Sequence, residues 1–156
     1  MERRDLTFNS LDEVLADIKA LPAEGLTAAG KWTPAENVEH VSKAIGYTVH
    51  GFPDCKPSKI QKVLFTTMVK LFGRKMLTMK LSPGIKFPKG MEFFEPEKGV
   101  AWDEAVRRLE QNIADAKTKK MTHPSPVAGD LGHEKWTLMH CRHAELHFSF
   151  IHPPAA

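Results

Sequence analysis

Apolar residues recur at helical spacing along most of the chain, and capping signals divide the pattern into segments. Leu11, Val14, Leu15, Ile18 and Leu21 form a first stripe. Ahead of it stands Ser10-Leu11-Asp12-Glu13, a capping box in which the serine accepts the Glu13 backbone N–H and Glu13 reaches back. Pro22 and Gly25 end this helix. A second start is Thr33-Pro34-Ala35-Glu36, with threonine at the cap, proline at the first helical position and glutamate closing the box. The helix it opens should run to about His50. Val38, Val41, Ile45 and Thr48 share one line of its surface, and Asn37, His40, Ala44 and Tyr47 the line beside it, so His40 borders the core.

A third helix is expected from near Ser58, with Ile60, Val63, Leu64, Met68, Leu71 and Phe72 inward and Lys59, Lys62, Lys70, Arg74 and Lys75 outward. Leu81 to Gly99 is rich in proline and glycine and reads as a long ordered loop without a consequential strand. Trp102, Ala105, Val106, Leu109, Ile113 and Ala116 predict a fourth helix over about 102–117, and a final helix should span roughly Glu134 to Ile151. Helical stripes without strand alternation make the fold class all-α: a helical bundle in one domain, 1–156, with one long loop and room for an extra short helix.

Composition narrows the class only a little. A chain of 156 residues can bury a sizeable core unaided, and 42% hydrophobic with 26% charged residues is ordinary for a soluble domain. The net charge of +3 does not argue for nucleic acid, and the lysines of the third helix lack the interleaved aromatics a nucleic-acid surface would need. No stretch approaches the roughly 18 to 20 apolar residues of a membrane span, so neither partner is expected and the cytoplasm is the expected compartment. Cys55 and Cys141 exclude a disulfide framework and read as reduced thiols.

Histidine changes the picture. The chain has eight, four of them between His140 and His152. At 100° per residue His140, His143 and His147 fall within an arc of about 60° on the final helix. They share it with Trp136, Met139, Ala144, Phe150 and Ile151, while Arg142, Glu145 and Ser149 lie opposite. Three imidazoles on one buried face need several polar partners or one ion. His143 and His147 have the i, i+4 spacing that lets two imidazoles hold one metal from consecutive turns. A third ligand must come from another helix. His40 is the histidine of the first half that sits mid-helix on a core-bordering face.

Two passages carry a family resemblance: Lys31-Trp32-Thr33-Pro34-Ala35-Glu36-Asn37-Val38-Glu39-His40, and Trp136 followed by His140, His143 and His147. Together with His123-Pro124 and Ile45-Gly46-Tyr47-Thr48-Val49-His50-Gly51-Phe52-Pro53, they resemble the DinB/YfiT-like metalloprotein superfamily, more narrowly its DUF1569 branch, over Leu6 to His152. The resemblance implies a four-helix bundle with up-down-down-up connection, a homodimer, and a divalent ion, zinc or nickel, held by His40, His143 and His147. It leaves His140 outside the ligand set, as a residue that supports the ligands or the core. Relatives often carry a histidine just before the last ligand and an Arg or Gln after it; here stand Leu146 and Phe148-Ser149-Phe150.

The resemblance further implies metal-dependent chemistry on a low-molecular-weight thiol, with metal-assisted hydrolysis next. The competing reading is a non-catalytic protein whose ion stabilises the fold. Tyr47 is a candidate to reach the site, although packing explains it as well. Glu36 is better explained by its capping box, and Glu39 by solvation. Cys141, on the flank of the last helix, is not expected to act, and His50, His133 and His152 receive no role.

Overall fold

The computed structural model describes residues 3–54, 63, 67, 71, 73, 75, 77–84, 90–126 and 128–154. Four helices are delimited within them: α1 (Leu11–Lys19), α2 (Pro34–His50), α3 (Trp102–Lys119) and α4 (His133–Phe148). A short 3-10 turn covers Glu92–Phe94, and two-residue strands β1 (Thr27–Ala28) and β2 (Ile151–His152) pair antiparallel, Thr27 opposite His152. The molecule is thus mostly helical, and no described helix is long and apolar enough to cross a membrane.

The caps explain the first two helices. Ser10 Oγ accepts the Glu13 N–H at 3.2 Å, while the Glu13 carboxylate reaches one residue beyond the expected box, to the Asn9 N–H at 2.8 Å. At α2 the box is reciprocal: Thr33 Oγ1 accepts from Glu36 N at 3.2 Å and Glu36 Oε2 from Thr33 N at 2.9 Å. α2 ends at His50, where Gly51 takes a positive φ of 104°.

α2 is the central element. It packs most extensively on α3 and next on α4, with α1 lying across both of these. Val14 and Ile18 of α1, Val38, Val41 and Ile45 of α2, Leu109 and Ile113 of α3, and Ala144 and Phe148 of α4 make the core. α2 meets α3 tightly at Gly46, where a Cβ would stand 3.0 Å from Asn112 Nδ2.

Two expectations change, and a third region gains a covering that the sequence left undescribed. The final helix stops at Phe148 rather than Ile151, because Ile151 and His152 pair with Thr27 and Ala28 instead of adding another turn. Arg142, Glu145 and Ser149, opposite the histidines, are not a solvent face. The N-terminal segment covers them: Phe8 N donates to Glu145 Oε1 at 2.6 Å, Arg4 N to the Ser149 carbonyl at 2.9 Å, and Arg142 to the Phe8 carbonyl. In the expected third helix Val63, Thr67, Leu71, Gly73, Lys75, Leu77 and Thr78 are helical, but Val63 and Leu71, expected inward, are 67% and 70% exposed. Ser58, Lys59, Ile60, Lys62, Leu64, Met68, Lys70, Phe72 and Arg74, like Cys55, lie outside the described residues.

Candidate metal centre

α2 delivers His40 and α4 delivers His143 and His147 to one point. One ring nitrogen from each lies within 4.8 Å of the others, and His40 Nε2 is 3.0 Å from His143 Nε2. The helices do this by simple means. His143 and His147 are one turn apart on α4, while the capping box fixes the phase at which α2 starts and so the direction of His40 seven residues on. His40 is fully buried, whereas His143 and His147 keep some exposure.

Hydrogen bonds set the tautomers. A carbonyl can only accept, so His40 Nδ1, 2.6 Å from the Phe94 oxygen, carries the proton and leaves Nε2 as a lone pair. His147 Nδ1 faces Asn37 Oδ1 at 3.4 Å. Asn37 presents its oxygen there because its amide nitrogen donates to the carbonyls of Trp32 at 3.3 Å and Thr33 at 3.0 Å. Such outer partners, a carbonyl on one imidazole and a side-chain oxygen on another, are how proteins orient metal-binding histidines. Trp32 completes the wall, its ring 4.7 Å from His40 and stacked 5.5 Å from His147.

The electrostatics favour neutral imidazoles. Burial lowers the His40 pKa to about 4, the Phe94 hydrogen bond opposing and Lys43 adding to the drop. Burial, then His40, lowers His147 to about 2. His143 is held well below the usual range by burial and by the other histidines. No proton has to leave before these rings can ligate at neutral pH.

The donor set therefore fits a divalent ion. Nitrogens each about 2.1 Å from one tetrahedral zinc lie about 3.4 Å apart, so rings whose nitrogens lie within 4.8 Å of one another would draw closer to hold it. Three neutral ligands leave the full charge of the ion at the site and leave coordination positions for a further partner.

The remaining sequence candidates sort by their contacts. His140 is not part of the cluster. Thr48 Oγ1 donates to the Ile45 carbonyl at 2.7 Å and so accepts from His140 Nε2 at 3.1 Å, tying α4 to α2. Trp136 stacks on this ring at 5.6 Å, and burial lowers its pKa to about 3. Tyr47 donates its hydroxyl to the Phe93 carbonyl at 2.9 Å. Glu36 keeps its capping role. Glu39 is not solvated: it is 2% exposed and its carboxylate is bound by Arg108 Nη1 at 2.9 Å. Cys141 is fully buried, which pushes its thiol up to about 11. His50 pairs with Asp115 at 2.9 Å, His133 Nδ1 accepts from Met121 N at 3.2 Å, and His152 belongs to β2.

Sequence reasoning missed the outer partners. Asn37 stands one turn before His40 on the same line of α2, a spacing that could have marked it. The Phe94 carbonyl is backbone in an irregular segment, and no side-chain pattern announces it. No curated protein and no solved structure matches the chain. The family model described as "Protein of unknown function (DUF1569)" matches residues 1–154, and the chain belongs to that family.

Proposed function

We propose that this is a metalloprotein of DinB/YfiT type, binding zinc or nickel through His40, His143 and His147 and using the ion to activate a small nucleophile, a low-molecular-weight thiol first. The observation that carries the reading is the meeting of three neutral imidazoles from two helices at one point. An ion held there supplies Lewis-acid chemistry, so that a thiol or water becomes a stronger nucleophile near neutral pH. The chain's own residues do the rest. Phe94 and Asn37 fix the ring orientations, Trp32 walls the site, and burial of His40 keeps water from its inner side.

A second reading has its own support. His40 lies on α2 and His143 and His147 on α4, so an ion would cross-link the two helices and add its binding energy to folding whether or not it does chemistry.

Metal analysis of untagged protein tests the centre. The wild type should carry about one equivalent of divalent metal per chain, as a single closed set of ligands requires, and His143→Ala should lose most of it. Metal retained at wild-type stoichiometry in His143→Ala would remove the proposed site. Thiol-transfer assays with common cellular thiols then separate the two readings: metal-dependent turnover supports the enzyme, and its absence with every thiol supports the cross-link.

A further inference from the structure

The segment after the buried Met91 is bound to α2 in an ordered way. The 3-10 turn Glu92–Phe94 ends with carbonyls that it cannot satisfy itself, as any helical turn does. Three side chains from one face of α2, at i, i+3 and i+7, supply the donors. Tyr47 Oη donates to Phe93 O at 2.9 Å, His40 Nδ1 to Phe94 O at 2.6 Å, and Lys43 Nζ to Glu95 O at 2.9 Å. Downstream, Arg108 Nη1 holds Glu97 at 2.8 Å together with Glu39, and Gly99 N donates to Glu36 Oε1 at 3.3 Å. The Tyr47 ring packs edge-on against Phe93 at 5.4 Å and Phe94 at 5.6 Å.

His40 is thus the middle donor of three and also a member of the metal cluster. We propose that residues 91–99 form a strap linked to the metal: Lys43 and Tyr47 are positioning residues that act on the ion through the Phe94 carbonyl, and the ion in turn tightens the strap. The inference rests on the metal reading above. A cation on Nε2 draws electron density from the ring and strengthens the Nδ1–H bond to Phe94 O. By linkage, whatever fastens the strap must then raise metal affinity by the same factor.

Lys43 makes the test sharp, because its two effects have opposite signs. As a nearby positive charge it disfavours a cation, and it already pushes the His40 pKa down. Through space alone, Lys43→Ala should raise affinity for a divalent ion. As the donor to Glu95 O it holds the strap, and Lys43→Ala should lower affinity.

Zinc affinity is measured on the full chain by competition with a chelating dye, and hydrogen exchange is followed over 91–99 with and without zinc. Loss of a direct outer partner typically costs about 10- to 100-fold in metal affinity. Lys43 and Tyr47 act one bond further out, so the Lys43→Ala/Tyr47→Phe pair is expected near the lower figure, at unchanged stoichiometry. Zinc should slow exchange across the strap in the wild type and less in the double variant. Lys43→Arg, which keeps the donor, should restore most of the affinity. Unchanged or tighter binding by Lys43→Ala, or zinc-independent exchange of the strap in a wild type that binds one ion, overturns the linkage and leaves the metal centre standing. A wild type that binds no zinc or nickel overturns both.

Discussion

Asn37 commits both amide hydrogens to the carbonyls of Trp32 and Thr33, so only its oxygen is left to face His147. A residue that looks like one more polar position in the first turn of a helix thereby fixes the orientation of a ring on a different helix. Asn37→Leu keeps the size of the side chain but removes the acceptor and both donors. It should therefore bind metal more weakly, by roughly the 10-fold typical of outer partners, which calorimetric titration with zinc would show. His140 permits a prediction on pH. Its pKa lies near 3 in the fold against 6.5 as the ordinary value, so between these limits the unfolded chain takes up a proton that the folded chain refuses. The depression means that its contribution is intact above about pH 6.5 and is lost as pH falls through that window, at up to about 1.4 kcal/mol per pH unit. Urea unfolding of metal-free protein at pH 7, 6 and 5 should show a slope shallower by about this amount in His140→Gln. Equal slopes in the two proteins would show that His140 does not stay neutral.

For the elements, the contact between α2 and α3 sets the tolerance. A methyl at Gly46 would meet Asn112 at 3.0 to 3.1 Å, and Asn112 cannot easily swing away because its amide bonds to both the carbonyl and the hydroxyl of Ser42 at 3.0 Å. Alanine gains up to about 1 kcal/mol of helix propensity over glycine, while overpacking costs roughly 1 to 3 kcal/mol. Overpacking should prevail, and Gly46→Ala should lower stability in chemical denaturation; a stabilised variant would show that the helices can separate at no cost. The element scale is also where the sequence was most legible. Capping boxes and periodic stripes located α1 and α2 nearly to the residue, since the signals for starting a helix are local. The end of α4 was overrun because Phe150 and Ile151 continue an apolar stripe, and only the pairing of Ile151 with Ala28, more than a hundred residues earlier, says that the chain leaves the helix for a strand. Glu39 was misread for the same reason: its ion partner Arg108 is remote in sequence.

Across the whole molecule, the metal reading makes folding and loading one equilibrium. At free ion 100-fold above Kd, binding to the native state alone is worth about 2.7 kcal/mol. In a chain of this size that corresponds to a rise in Tm of roughly 5 to 10 °C. Adding zinc to chelator-treated protein should produce that shift and leave His143→Ala unmoved; a flat response in the wild type would count against both the cross-link and the centre. His143 and His147 could be paired from the sequence because they share a helix face, whereas His40, which borders the core, joined them largely through the family resemblance. The supports from Asn37 and the Phe94 carbonyl could not be read from it, since one depends on which atom of an amide points inward and the other on the path of an irregular segment.

The N-terminal segment that lies over Arg142, Glu145 and Ser149 has a consequence for how the chain can vary. From Met139 through Ile151 no residue is exposed, because one side of α4 carries the histidines and the other is roofed by residues near Arg4 and Phe8. A saturation mutagenesis scored on folded yield should find fewer permissive positions in that stretch than on the exposed positions of α3, and charged replacements there should be depleted as strongly beneath the roof as among the histidines.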